Sequence, residues 1–159
     1  MSNDDRPVPP HFEEELLDKH FECAWKYEFW VKNHLRIVYA IHGGPMAGRR
    51  NYQTAYYQRE RPNLWQISWV EETGTTVTIT LDIELRRVTT SMFFSYGHWA
   101  CPQKAHGYKR EKLAAWRELA KLESGQPAKV HALPEQATID KMYQGRGELE
   151  DIEMGWPTL

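Results

Sequence analysis

From Trp25 to Tyr96 apolar and polar residues alternate with a period of two, the pattern of strands with one face buried. Trp25, Tyr27, Phe29 and Val31 fall on one side of a first strand and Lys26 and Glu28 on the other, with Trp30 out of step. After an Asn33-His34 turn, Arg36–His42 puts Ile37, Tyr39 and Ile41 on one face and Val38, Ala40 and His42 on the other. Gly43-Gly44-Pro45 breaks that strand. A third runs from Arg49 to Gln58 and carries Tyr52, Tyr56 and Tyr57. Arg61-Pro62-Asn63 is a turn, since proline presets its backbone angle and asparagine tolerates a left-handed one. Trp65–Glu71, the β-branched Thr75–Leu81 and Arg87–Tyr96 follow as strands, with a turn at Thr73-Gly74. Turn signals at about ten-residue spacing predict an antiparallel meander closed as a barrel or a sandwich.

The flanks read differently. Residues Met1–Pro10 are polar and proline-rich, a disordered lead-in. Glu13–His20 predicts a short packing helix, acidic at its start and basic at its end. Gly107–Leu122 predicts a longer helix with Leu113, Trp116 and Ala120 on one stripe, Leu119 beside them, and a solvated charged face over Lys109–Lys121. Ser124-Gly125-Gln126-Pro127 ends it, and Ala137–Tyr143 is a last strand. One domain over residues 11–144 is expected, followed by an acidic, loosely held tail, 145–159, in which Trp156 is a possible anchor.

Composition narrows the function. A chain of 159 residues buries a core without disulfides. A net charge of −2 gives no field for nucleic acid or a membrane surface. Cys23 and Cys101 lack metal-ligand spacing and suit a reduced, cytoplasmic protein. His98 and His106 flank Cys101, but their spacing matches no common metal site, so no metal is expected. Cys23 has no identifiable base beside it and reads as a small buried residue; His42, before a glycine turn, reads as structural. The 7 Trp, 8 Tyr and 5 Phe suit either a β-rich core or a ligand cavity. Arg49 and Glu71 lie on strands joined through the Arg61–Asn63 turn, where a register sum near 120 would set them opposite each other and any even sum on one face. Taken alone such residues are more often a strand-edge ion pair. Tyr52 and Tyr56 either line a pocket or fill a barrel wall.

The blocks WKYEFWVKN, VYAIHGGPMAGR and WQISWVEETGTTVTI, with MFF after them, resemble the phenolic acid decarboxylases over roughly residues 20 to 96; the similarity weakens towards ATIDKMYQG at Ala137–Gly145. The resemblance implies a flattened antiparallel β-barrel, lipocalin-like, with flanking helices, as a homodimer. It implies cofactor-free, non-oxidative decarboxylation of p-hydroxycinnamic acids. By motif, Arg49 matches the family's active-site arginine and Glu71 its catalytic glutamate. Tyr27, Tyr39, Trp69 and Thr75 match other positions of the same blocks and are expected to contact substrate, with Tyr52 and Tyr56 as further candidates. The family carries a Tyr-x-Tyr pair before the tryptophan strand. Here the corresponding His20–Trp25 is shorter and has no tyrosine.

A vinylic carboxylate holds its carbon dioxide because the electrons left behind have nowhere to go. A para-hydroxyl opens a route: protonating the carbon that bears the carboxylate, with loss of the phenolic proton, gives a neutral quinone methide that expels carbon dioxide. Such a site needs a proton donor near the alkene, hydrogen bonds for the oxygens, and a dry pocket. The expected function is a lyase of this kind acting on a small aromatic acid. An isomerisation, cyclisation or hydration on the same scaffold, prompted by the missing tyrosines, and a non-catalytic ligand-binding barrel are the alternatives.

Overall fold

The computed structural model describes residues 5–125 and 130–159. After a single helical turn, α1 (Phe12–Glu15), come eight strands: β1 (Lys19–Cys23), β2 (Tyr27–Asn33), β3 (Arg36–Ile41), β4 (Arg49–Thr54), β5 (Tyr56–Arg61), β6 (Leu64–Val70), β7 (Thr76–Asp82) and β8 (Arg87–Ser95). A short helix α2 (Tyr96–Ala100), a 3-10 turn (Pro102–Ala105), the two-residue β9 (Gly107–Tyr108) and helix α3 (Lys109–Ala120) lead to the long strand β10 (Val130–Gln144). The ten strands form one sheet in the order β5-β6-β7-β8-β10-β1-β2-β3-β4-β9. Every pairing is antiparallel except β9, which adds two residues parallel to β4.

The sheet curls so that its two halves face each other. Phe29, Ile37 and Tyr39 from one half share a buried cluster with Trp65, Ile67, Trp69, Ile79 and Val88 from the other, and β1 and β10 contribute Phe21, Cys23 and Ile139. Flattened-barrel geometry follows, but no ladder joins the sheet's ends among the described residues. The chain itself crosses the seam. Arg49–Gln58, expected as one strand, is split at Ala55, a fully buried residue whose N–H leaves the ladder to bond the Leu35 carbonyl. On either side of it β4 pairs with β3, and β5 with β6.

Four further expectations change. The first helix is only α1, because Asp18 takes a left-handed φ of 59° and Lys19 and His20 begin β1, held between β10 and β2. Trp25 lies in the β1–β2 turn at φ 62° and is 93% exposed, not on a strand face. The tail packs firmly: Leu149, Ile152 and Trp156 cover the outer face of the sheet on Trp30, Val38, Ala40 and Tyr52, which explains why Trp30 breaks the alternation. The last strand also extends well beyond Ala137–Tyr143. Residues 1–4 of the expected lead-in and Gln126-Pro127 of the expected helix stop lie outside the described residues. No described helix is long and apolar enough to cross a membrane.

Candidate active site

Arg49 opens β4 directly after Gly48, whose φ of 92° only glycine adopts freely. Glu71 follows β6 in a turn closed by its own amide on the Thr75 carbonyl. The two side chains meet, though not across a ladder. Strands β5 and β6 pair with Tyr56 opposite Ser68, a sum of 124 that concerns only β5. Arg49 belongs to β4 and reaches Glu71 across the inside of the curled sheet. Its Nη2 donates to Glu71 Oε2 at 3.0 Å and to Glu72 Oε1 at 2.5 Å, and its Nη1 donates to the Ala105 carbonyl at 3.0 Å. The guanidinium lies over the Trp116 ring, 4.0 Å from its centroid, and is wholly buried.

Three donors converge on Glu71: Arg49, the Trp69 indole N–H at 3.1 Å, and the Tyr39 hydroxyl in a short hydrogen bond. Tyr39 oxygen in turn accepts from Arg49 Nε at 3.3 Å and from Asn51 Nδ2 at 3.0 Å. Burial lifts the Tyr39 phenol well above its ordinary pKa, so it stays a donor. This network closes the polar end of a cavity of about 120 Å³. The rest of the lining is largely apolar, with Phe29, Ile79, Met92 and Phe94 as its walls, and Met46 from the β3–β4 loop covers it. A buried apolar space of ~150 Å³ holds one benzene ring, so this cavity is on the scale of a single aromatic ring.

Behind Arg49 lies a second carboxylate. Glu72 accepts from Gln53 Nε2 at 2.6 Å and pairs with Lys109 Nζ at 3.0 Å, with no side-chain exposure on either partner of that ion pair. Burial pushes the Glu72 carboxyl up, but Arg49 and Lys109 outweigh it and hold it well below the usual carboxylate range. Burial lowers the Lys109 ammonium to about 8 against the pull of Glu72. Lys109 also donates to the Tyr52 and Thr158 carbonyls, tying α3, β4 and the tail together.

His98 of α2 lies on the other flank. Its Nδ1 is 2.9 Å from Thr73 Oγ1, 2.7 Å from Thr75 Oγ1 and 4.0 Å from Glu71 Oε2. Ser95 caps α2 through its hydroxyl, and at Gly97 any Cβ would strike the Leu119 carbonyl, so glycine lets α2 lie flat on α3. Burial, aided by Arg49, holds the His98 imidazole at about 3, well under its ordinary value.

Arg49, Glu71, Tyr39, Trp69 and Thr75 are thus gathered around one end of the cavity, and Tyr27 lines it as well with a hydroxyl that is buried and has no partner among the described residues. Two expected substrate contacts lie elsewhere. Tyr52 points to the outer face, where Trp156 and Lys109 meet its ring, because residues 50, 52 and 54 alternate away from the inward Arg49, Asn51 and Gln53. Tyr56 is 38% exposed beneath the Arg6 guanidinium. Residues Glu72, Asn51, Gln53, Lys109 and His98 were not expected. The Arg-x-Asn-x-Gln alternation of β4 carried a readable signal for two of them; the long reach of Lys109 carried none. The charged face expected over Lys109–Lys121 therefore loses its first residue to the interior.

The other candidates resolve simply. Burial raises the Cys23 thiol to about 12, which removes it as a nucleophile. His106 contacts the Pro45 carbonyl and His98 the two threonines, so His98, Cys101 and His106 do not converge. His42 meets Glu28 at 3.0 Å. Among the described residues, His20, Glu22 and Glu28 form a grouping close enough to hold an ion, and their own contacts occupy it: Glu28 hydrogen-bonds His20, and Glu22 pairs with Lys141.

Comparison with known proteins agrees with these blocks. A Vibrio cholerae protein named "Probable phenolic acid decarboxylase" is 33% identical over 94 residues, 58% of this chain and 54% of that protein. The Bacillus subtilis phenolic acid decarboxylase PadC is 28% identical over 99 residues, 62% of each. The chain thus spans between half and two thirds of the length of these curated relatives. A Burkholderia vietnamiensis protein of solved structure aligns at a TM-score of 0.46 and 16% identity, over 87% of this chain and 99% of that one, too distant to inform the site. The profile of the phenolic acid decarboxylase (PAD) family matches residues 13–154, so the chain belongs to the phenolic acid decarboxylase family.

Proposed function

We propose that this chain is a lyase that removes carbon dioxide from a hydroxylated aromatic acid without a cofactor, with Glu71 and Arg49 at its centre. One observation carries the reading: Arg49, Glu71 and Tyr39 share a buried hydrogen-bond network at the polar end of a largely apolar cavity. A mere ion pair needs neither the cavity nor the hydroxyl. In the proposed reaction Glu71, in its carboxylic acid form, delivers its proton to the alkene carbon that bears the carboxylate, while the phenolic proton passes to solvent, which later returns it and recharges Glu71. The carbon–carboxylate bond of the quinone methide then breaks, carbon dioxide leaves, and the electrons restore the aromatic ring as the phenol is reprotonated. Arg49 balances the charge that Glu71 gains, and Tyr39 and Trp69 fix the carboxylate's orientation. The apolar walls exclude water and strengthen these interactions. A homodimer in the cytoplasm, acting on a small-molecule substrate, completes the proposal.

A related step on a conjugated acid is the second reading, and β1 supports it. Its inward residues are Phe21 and Cys23, which pack in the core and offer no hydroxyl where the family carries its tyrosine pair. p-Coumarate and ferulate are therefore expected to be poor substrates unless another hydroxyl replaces the pair. Tyr27 is the candidate, since its buried oxygen lines the cavity unpartnered. The test is mass-spectrometric turnover of a panel of hydroxylated aromatic acids by wild type and Glu71→Gln. Loss of carbon dioxide from one acid, abolished in the variant, supports the lyase. Conversion to an isomer or hydrate supports the second reading, and unchanged recovery of every acid refutes both.

A further inference from the structure

His98 poses a problem of hydrogen-bond accounting that the reaction above does not use. The ring is 1% exposed and belongs to the cavity wall. Both threonine hydroxyls aim at the same nitrogen, Nδ1. Thr75 Oγ1 already accepts from the Ser95 amide at 3.2 Å, so its hydrogen is available to Nδ1. A neutral imidazole has one acceptor and one donor nitrogen, and a hydroxyl donating to Nδ1 puts the ring's hydrogen on Nε2. That Nε2 is buried and has no partner among the described residues. An unmet buried donor costs about 1–3 kcal/mol. Such a group at a cavity wall is a contact held ready for a ligand oxygen.

We propose that His98 is a substrate-contacting residue, whose Nε2–H donates a hydrogen bond to an oxygen of the aromatic acid bound beside Glu71. The proposal rests on the cavity being the substrate site. Two further features suit a donor. Burial disfavours an imidazolium, and Arg49 adds to it, so the contact is a neutral one that stabilises a developing oxyanion without releasing a proton. The threonines fix the ring from behind, as a positioned donor requires. The acceptor is either the carboxylate or the phenolic oxygen, the two polar ends that an aromatic acid of this class presents.

The experiment uses wild-type protein labelled with 15N-histidine and long-range proton–nitrogen correlation spectra, with the His98 signals assigned from their loss in His98→Gln and their displacement in Thr75→Val. The expected free state is the Nε2–H tautomer. The probe is 3-(4-hydroxyphenyl)propionate, which lacks the alkene and so binds without reacting. It is expected to shift the His98 Nε2 signal. 3-Phenylpropionate, without the phenol, and 4-ethylphenol, without the carboxylate, identify the oxygen, since only the analogue that keeps it reproduces the shift. His98→Phe is expected to weaken probe binding about tenfold, the equivalent of one neutral hydrogen bond. His98→Gln, which keeps an amide donor, is expected to recover part of that loss. An Nδ1–H tautomer overturns the proposal, as does a probe that binds with the Nε2 signal unmoved. Failure of all three analogues to bind overturns it together with the reading of the cavity. An active enzyme whose probe leaves His98 undisturbed overturns it alone.

Discussion

Glu71 and Glu72 are neighbours in the chain, both buried and both bonded to the same Arg49 nitrogen, yet they sit in different surroundings. Glu71 faces the cavity, and its other donors, Tyr39 and Trp69, are neutral. Glu72 faces protein, and a second full cation, Lys109, is locked to it. Removing charges from water costs several kcal/mol per ion unless each finds a partner. Arg49 and Lys109 find that balance in Glu72, with the Glu71 oxygen as a further acceptor for Arg49. Glu72 and Lys109 confine one side of Arg49, so the other side can be presented to the cavity in a fixed position. Arg49 is thus held by the wall and used at the cavity, a division of labour that pre-organised sites require.

The sharpest way to break this comparison is to neutralise each carboxylate in turn. Glu71→Gln keeps the shape and the Trp69 and Tyr39 contacts but cannot carry the proton. Turnover is expected to fall by about 10²–10⁴-fold, with thermal or urea unfolding moved by no more than ~2 kcal/mol. Glu72→Leu should do the reverse on stability. It strands Arg49 and Lys109 together in the interior and is expected to cost about 3–5 kcal/mol in urea unfolding. Adding Lys109→Met should return part of that, and the double-mutant cycle measures their coupling. Equal destabilisation by the Glu71 and Glu72 changes would show that both carboxylates serve only the fold.

Acid separates the two flanks more gently. Glu72 has its folded-state carboxyl held below the unfolded value of 4.5, so its contribution is complete above that pH and is lost as pH falls below it. His98 is depressed too, from 6.5 to about 3. The unfolded imidazole takes a proton below 6.5 while the native one refuses it until about 3. Stability should therefore decline from pH 6.5 downward, by up to about 1.4 kcal/mol per pH unit for one proton. Between pH 6.5 and 4.5 the slope comes from His98 and not from Glu72. Urea midpoints across this range should flatten in His98→Gln and keep their slope in Glu72→Gln.

The sequence made the cavity side of the comparison legible and left the wall side dark, for physical reasons. Alternation identified β2, β3, β6, β7 and β8 because each buries one face against a common core. The motif blocks then picked out Glu71, Arg49, Tyr39 and Trp69. The expected register sum led to the right neighbours by the wrong path, since β4 and β5 part at Ala55 and no local signal marks a fully buried alanine as a seam. Strand β1 was hidden because its Lys19 and His20 also suit a helix end. Glu72 is the second of two acids before a turn, where solvent exposure is the ordinary outcome. Lys109 opens an amphipathic helix whose charged first turn has the pattern of a solvated face. Its burial depends on the Tyr52 and Thr158 carbonyls, brought together only by the tertiary fold.

The smallest expected effect concerns Tyr27, and it tests whether the cavity side is built for a ligand. Burial raises its phenol well above the ordinary range, so the group remains a neutral donor at every pH of interest. Its oxygen has no partner among the described residues, whereas the oxygens of Tyr39 and Tyr57, buried nearby, are bonded to Glu71 and to the Arg36 carbonyl. Removing a bonded buried hydroxyl typically costs about 0.5–1.5 kcal/mol, while removing an unbonded one relieves a desolvation penalty. Tyr27→Phe is therefore expected to leave stability unchanged or to raise it by up to ~1 kcal/mol in urea unfolding. Tyr57→Phe, the control, should lower it. If the Tyr27 hydroxyl meets substrate in place of the missing tyrosine pair, the same variant should raise KM several-fold for acids that carry the contacted oxygen, with a smaller change for those that lack it. A loss of stability equal to that of Tyr57→Phe would mean that the hydroxyl already has a structural partner, and Tyr27 would then drop out of the substrate site.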